Sequence, residues 1–145
     1  MNKETIAQHL YNDNGSQAIK YVQNISDEET LFVYAYNYNW DDGFEIPKAI
    51  MANKYCTLSV ALLLFRAADG LTFLQDQASA NSLPEWKNFI TMLYEQIINR
   101  KFVPGKASYD PALSKVQEYK LKKVLSSSEN IFITRIAGED YGVSI

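Results

Sequence analysis

The sequence predicts a mainly α fold, a compact bundle of about five to six helices with a small C-terminal β element (α+β). Three observations predict it. Apolar residues recur at helical spacing from Ile6 to Ile97. β-Branched residues concentrate in one late run, Ile131 to Ile136. Hydrophobic residues make up 47% of the 145 residues and charged residues 21%, enough apolar side chains for a sizeable core. With no composition shift along the chain, residues 1–145 read as one domain.

Ile6, Ala7, Leu10 and Tyr11 share one face of a first short helix, and Asp13-Asn14-Gly15 breaks it. Ala18, Ile19, Val22 and Ile25 continue as a second helix. Ser26 and Glu29 stand at capping-box spacing, which predicts a third helix starting at Ser26. That helix sets Leu31, Phe32, Ala35 and Tyr38 on one face and ends near the turn at Trp40–Gly43. Pro47 suits the first turn of a fourth helix, whose apolar side is Ile46, Ile50 and Met51.

Thr57 is placed to cap a fifth helix, residues 58–68, which is apolar nearly all round and therefore central. Gly70 offers the left-handed residue that ends it. Ser82-Leu83-Pro84-Glu85 predicts a second capping box. Trp86, Phe89, Ile90, Leu93, Tyr94 and Ile97 then trace the clearest amphipathic helix in the chain. Residues 112–125 fit a helix, opened by Asp110-Pro111, and also alternate like a strand. Residues 131–136 and 141–145 read as two short strands joined at Gly138.

Composition narrows the function. A net charge of −3 argues against the basic face of a nucleic-acid binder. One cysteine, Cys56, permits no intramolecular disulfide and no multi-cysteine zinc site, and it fits a reducing cytoplasm. The N-terminal residues lack the apolar core of a signal peptide, and the longest apolar run is far short of the roughly 20 residues that cross a bilayer. Neither a phosphate-binding Gly-rich loop nor a nucleophile elbow is present. The lone His9 and Cys56 are distant in sequence, so Cys56 reads as a small core residue. Lys115, Lys120, Lys122 and Lys123 read as a solvated face.

The string Asn39-Trp40-Asp41-Asp42-Gly43, followed by Pro47 and by Ala61-Leu62-Leu63-Leu64-Phe65 and Asp69-Gly70, resembles a bacterial family of small uncharacterised domains. The resemblance covers residues 28–72 and implies no catalytic residues. Proteins of this kind are similar in size to the immunity proteins of bacterial toxin systems. That association makes a toxin-blocking role the expectation.

The candidate binding residues are Tyr36, Trp40, Asp41, Asp42, Glu45, Arg66 and Asp69. Four carboxylates, Asp41, Asp42, Glu45 and Asp69, are the oxygen ligands a hard cation would need. The competing reading makes Asp42-Gly43 a turn and Asp69-Gly70 a helix stop. A calcium loop starting at Asn37 fails, because Asp42 stands where its glycine belongs and Lys48 where its bidentate acid belongs. Trp40 is expected in the core, with Tyr34 and Tyr38 on one helix face and Tyr36 turned outward. Arg66, the only charge in the apolar helix, is expected to clamp to Asp41, Asp42 or Asp69.

The expected function is a non-enzymatic protein-binding module of a bacterial cytoplasm, an immunity protein whose partner is a toxin domain. No metal, cofactor, nucleic acid or membrane is expected. The alternatives are a metal-dependent enzyme using those four carboxylates and a structural accessory domain.

Overall fold

The computed structural model describes residues 1–76 and 83–145, and these are mainly helical. Helix α1 (Lys3–Asn12) starts at Asn2, whose side chain accepts from the Thr5 amide. Helix α2 (Gly15–Gln23) starts at a reciprocal cap between Asn14 and Gln17. The turn expected at residues 13–15 is thus also a helix start.

Helix α3 (Glu28–Asn37) is capped by Asp27, not by Ser26, with Thr30 N–H donating to its carboxylate at 2.9 Å. An aspartate one residue later takes the cap from the serine, and Glu29 is left out of it. A 3₁₀ turn (Trp40–Asp42) leads to α4 (Glu45–Ala52), with Pro47 buried in its first turn. Asn53 ties α4 to α2: its side-chain amide donates to the Val22 and Ile25 carbonyls at 2.9 and 3.0 Å.

Helix α5 (Leu58–Ala67) is the centre of the molecule, packing on α3, α4, α6 (Gly70–Gln75) and α7 (Pro84–Ile98). Val60, Ala61, Leu62, Leu64 and Phe65 are all buried on it, as its apolar sequence requires. Ser59 is buried among them at 1% exposure, with its hydroxyl satisfied by the Ala107 carbonyl at 2.7 Å.

Two details of this region correct the expectations. Thr57 stands at the N-cap but does not cap; its hydroxyl donates instead to Glu28 Oε2 at 2.6 Å. The left-handed residue after α5 is Asp69, at φ 64°, and Gly70 begins α6. Gly70 is required for space, because a Cβ there would run into the Phe65 ring and its carbonyl.

In α7, Phe89, Ile90, Leu93 and Ile97 are all buried, and Trp86 Nε1–H donates to the Ala68 carbonyl at 2.6 Å. Pro84 opens the helix after Leu83; Ser82 of the expected capping box lies outside the described residues. Helix α8 (Lys115–Val124) settles residues 112–125 as helical from Lys115 onward. Its start is a reciprocal cap between Ser114 and Gln117, while Asp110 accepts from Ala112 N–H in a turn of its own. The lysines of α8 are solvated as expected, Lys122 pairing with Glu118 and Lys123 lying over the Tyr119 ring.

The expected C-terminal strands are absent from the described residues, which contain no sheet. Residues Ser127–Ile133 form a 3₁₀ helix instead, at whose start the Ser126 amide and hydroxyl both donate to Glu129 Oε1. Phe132 explains why the β-branched residues do not prevail. Its ring is buried between Phe65, at 4.4 Å between centroids, and Tyr94, at 5.3 Å. Tertiary packing overrides local propensity here. Beyond it the described residues make only two isolated bridges, Ile136 with Tyr109 and Glu139 with Ala107. Two side chains then secure residues 143–145. Asn37 exchanges hydrogen bonds with Val143 and Ile145, and Tyr11 donates to the Ile145 carbonyl.

Candidate functional site

The Trp40–Pro47 stretch is a corner between α3 and α4, and its backbone is fixed from within. Asn39 starts the 3₁₀ turn by accepting from Asp41 N–H at 3.1 Å. Gly43 ends it at φ 94°, a conformation that disfavours any side chain. The Tyr38 hydroxyl then donates to the Gly43 carbonyl at 2.7 Å, closing the corner. Burial, helped by the nearby Asp42 charge, pushes the Tyr38 phenol up to about 12, so it stays a neutral donor.

Trp40 is half-buried rather than deep in the core, as a corner residue must be. Its indole meets Phe89 edge-on at 5.9 Å, Tyr38 at 5.4 Å and Phe44 at 6.2 Å. The packing of Trp40 therefore rests on α7, an element well beyond residue 72.

Because Asn39, Tyr38 and Gly43 hold the corner, its acids are not consumed by it. Asp41 and Asp42 are exposed, and neither carboxylate accepts a hydrogen bond from a described residue. Glu45, 77% exposed, has only a long 3.4 Å contact with Lys48, an exposed pair of little energetic weight. Asp42 also borders a cleft of about 510 Å³ that reaches Asp13, Tyr34 and Ile46.

The remaining candidates lie elsewhere. Asp69, at the α5–α6 junction, accepts from the Thr72 hydroxyl at 2.8 Å. Among the described residues no group of three or more His, Cys, Asp or Glu is placed to hold a metal ion, so Asp41, Asp42, Glu45 and Asp69 do not converge.

Arg66 makes none of the expected clamps to Asp41, Asp42 or Asp69. Its Nε–H donates to the Pro111 carbonyl at 3.1 Å, because α5 turns this position toward the 107–111 loop. There it shares a groove of about 550 Å³ with Tyr36, 46% exposed as expected, and with Arg135 of the C-terminal segment. Burial pushes the neighbouring Tyr109 phenol up, and the Arg66 charge opposes that shift. Sequence reasoning missed Arg135, although it is the one cation in the 131–136 run.

Cys56 is buried, and burial raises its thiol pKa, so the nucleophilic thiolate is disfavoured. His9 stacks on Tyr21 and pairs with Asp13 at 2.7 Å.

A family model described as a domain of unknown function, DUF4274, matches residues 26–98, half of the chain. The chain belongs to the DUF4274 family. Within this DUF4274 protein the matched span contains the residue 28–72 stretch that carried the resemblance and continues through α7. That extension has a physical basis here, since Phe89 of α7 packs on Trp40 and Phe44 of the corner. No curated protein and no solved structure matches the DUF4274 chain. No helix among its described residues is long and apolar enough to cross a membrane.

Proposed function

We propose that this DUF4274 protein is a non-enzymatic protein-binding module of a bacterial cytoplasm, an immunity protein that neutralises a toxin. One observation carries the reading. Asp41, Asp42 and Glu45 present carboxylates that the fold does not use, on a corner whose backbone is fixed by Asn39, Tyr38 and Gly43. Such preorganised charge lowers the ordering cost of binding and speeds encounter with a basic partner. The cleft beside Asp42 has room for an entering lysine or arginine. The acids would then meet cations of the toxin, a contact that can cover a catalytic surface without any chemistry by the module.

The test is binding to the product of the neighbouring gene, followed by growth protection on co-expression. The triple variant Asp41→Asn, Asp42→Asn, Glu45→Gln is expected to bind at least about tenfold more weakly, since charge-assisted contacts are each worth about 1.5–3 kcal/mol. The reading fails if no toxin gene is adjacent and a pull-down from the native host recovers no partner. It also fails if the triple variant protects as well as the parent.

A further inference from the structure

We propose that the groove formed by α3, α5, the 107–111 loop and the C-terminal segment binds a small organic anion. Arg66 and Arg135 hold its carboxylate or phosphate head, and Phe32, Leu63 and Ile136 receive its apolar body. The groove's volume of about 550 Å³ suits a small molecule.

The arginines carry the argument. The bond from Arg66 Nε to the Pro111 carbonyl orients the guanidinium and leaves its two terminal nitrogens without a hydrogen bond or ion pair among the described residues. Arg135 has no side-chain partner of either kind. Arg66 is half-buried and Arg135 exposed, and a guanidinium without an acid is a fork suited to bidentate binding of a carboxylate or phosphate.

Two acids, Asp110 and Asp140, line the same groove, yet neither pairs with an arginine. Each is held by its own turn: Asp110 accepts from Ala112 N–H at 2.8 Å and Asp140 from Gly142 N–H at 2.9 Å. They cancel the net charge of the lining, so recognition rests on the short-range fork and not on long-range attraction. Tyr36 and Ser108 also line this groove, and their hydroxyls make no hydrogen bond within the described chain. They add neutral donors beside the cations. None of Asp41, Asp42 and Glu45 lines the groove, so this site stands apart from the acidic corner.

The test is an NMR titration of the whole chain with benzoate and, separately, with phenyl phosphate. Saturable shifts are expected at Tyr36, Ser108 and residues 135–138 with at least one probe. Benzoate saturating identifies a carboxylate head, and phenyl phosphate a phosphate head. Arg135→Met, at a residue the fold does not use, is expected to weaken that binding by roughly tenfold or more with an unchanged melting temperature. Arg66→Met is expected to weaken it further. The triple variant of the acidic corner should bind the probe like the parent, which separates this site from the protein-binding reading. Failure of both probes to saturate, or unchanged affinity in Arg135→Met, overturns the proposal.

Discussion

Replacing Phe89 by alanine is expected to lower the unfolding free energy by roughly 3–5 kcal/mol, a large share of the about 5–15 kcal/mol typical of a domain. Phe89 is fully buried, and its ring touches both Trp40 and Phe44. Truncation would therefore open a cavity where α7 supports the corner. The ring contacts add to the loss, because each oriented aromatic pair contributes about 0.5–1.5 kcal/mol beyond area burial. Urea unfolding followed by tryptophan fluorescence measures the effect, with Trp40 beside the altered site. Phe89→Leu refills much of the volume and should lose clearly less. A loss below about 1 kcal/mol for the alanine variant would mean that α7 does not support the corner, since even one lost buried methylene is worth about 0.8 kcal/mol.

The second large effect belongs to Glu28. Its carboxylate joins three parts of the chain: Oε2 accepts from the Thr57 hydroxyl at 2.6 Å, and Oε1 accepts from the amides of Lys106 and Ala107 at 2.8 and 3.3 Å. One side chain at the start of α3 thereby secures the start of α5 and the loop beneath it. Gly105 leaves room for it, because a Cβ there would collide with Glu28 Oε2 and with Thr57. Glu28→Ala is expected to cost roughly 2–4 kcal/mol, since it removes bonds to a charged group and leaves the buried Ala107 amide without a partner. Glu28→Gln keeps one acceptor for the two amides and offers Thr57 a donor, so it should retain most of the stability. Thermal unfolding of the two variants decides this. An equal loss in both would assign the effect to the negative charge rather than to the hydrogen-bond pattern.

How far the sequence could be read depended on the range of the interactions that decide each element. Helix α7 was legible because Phe89, Ile90, Leu93 and Ile97 repeat at helical spacing and all four are buried. The outward turn of Tyr36 between the buried Tyr34 and Tyr38 followed from the same geometry. Short-range chemistry could also identify the Gly43 turn. By contrast, the fate of residues 131–136 depends on Phe132 inserting between Phe65 and Tyr94, distant partners that no local propensity reveals. Nothing local marks Glu28, because Lys106 and Ala107 lie 78 and 79 residues away.

The candidate site divides the same way. A lone arginine on an apolar helix signalled that Arg66 needs a partner, but the nearest acids in sequence were the wrong guide. Its partner is a carbonyl in a later loop, and its companion in the groove is Arg135. The acids Asp41, Asp42 and Glu45 were visible as a group in sequence. Whether the turn would use their oxygens depended on Asn39, which makes the capping bond itself.

That division of labour, with a corner built by Asn39, Tyr38, Trp40 and Gly43 and acids left for a partner, is tested most directly by equilibrium unfolding of Asp41→Asn, Asp42→Asn, Glu45→Gln. The unfolding free energy should stay within about 0.5 kcal/mol of the parent, as for surface changes that touch no structural feature. A loss of about 2 kcal/mol or more would show that the carboxylates hold the corner together, contradicting their assignment to a partner.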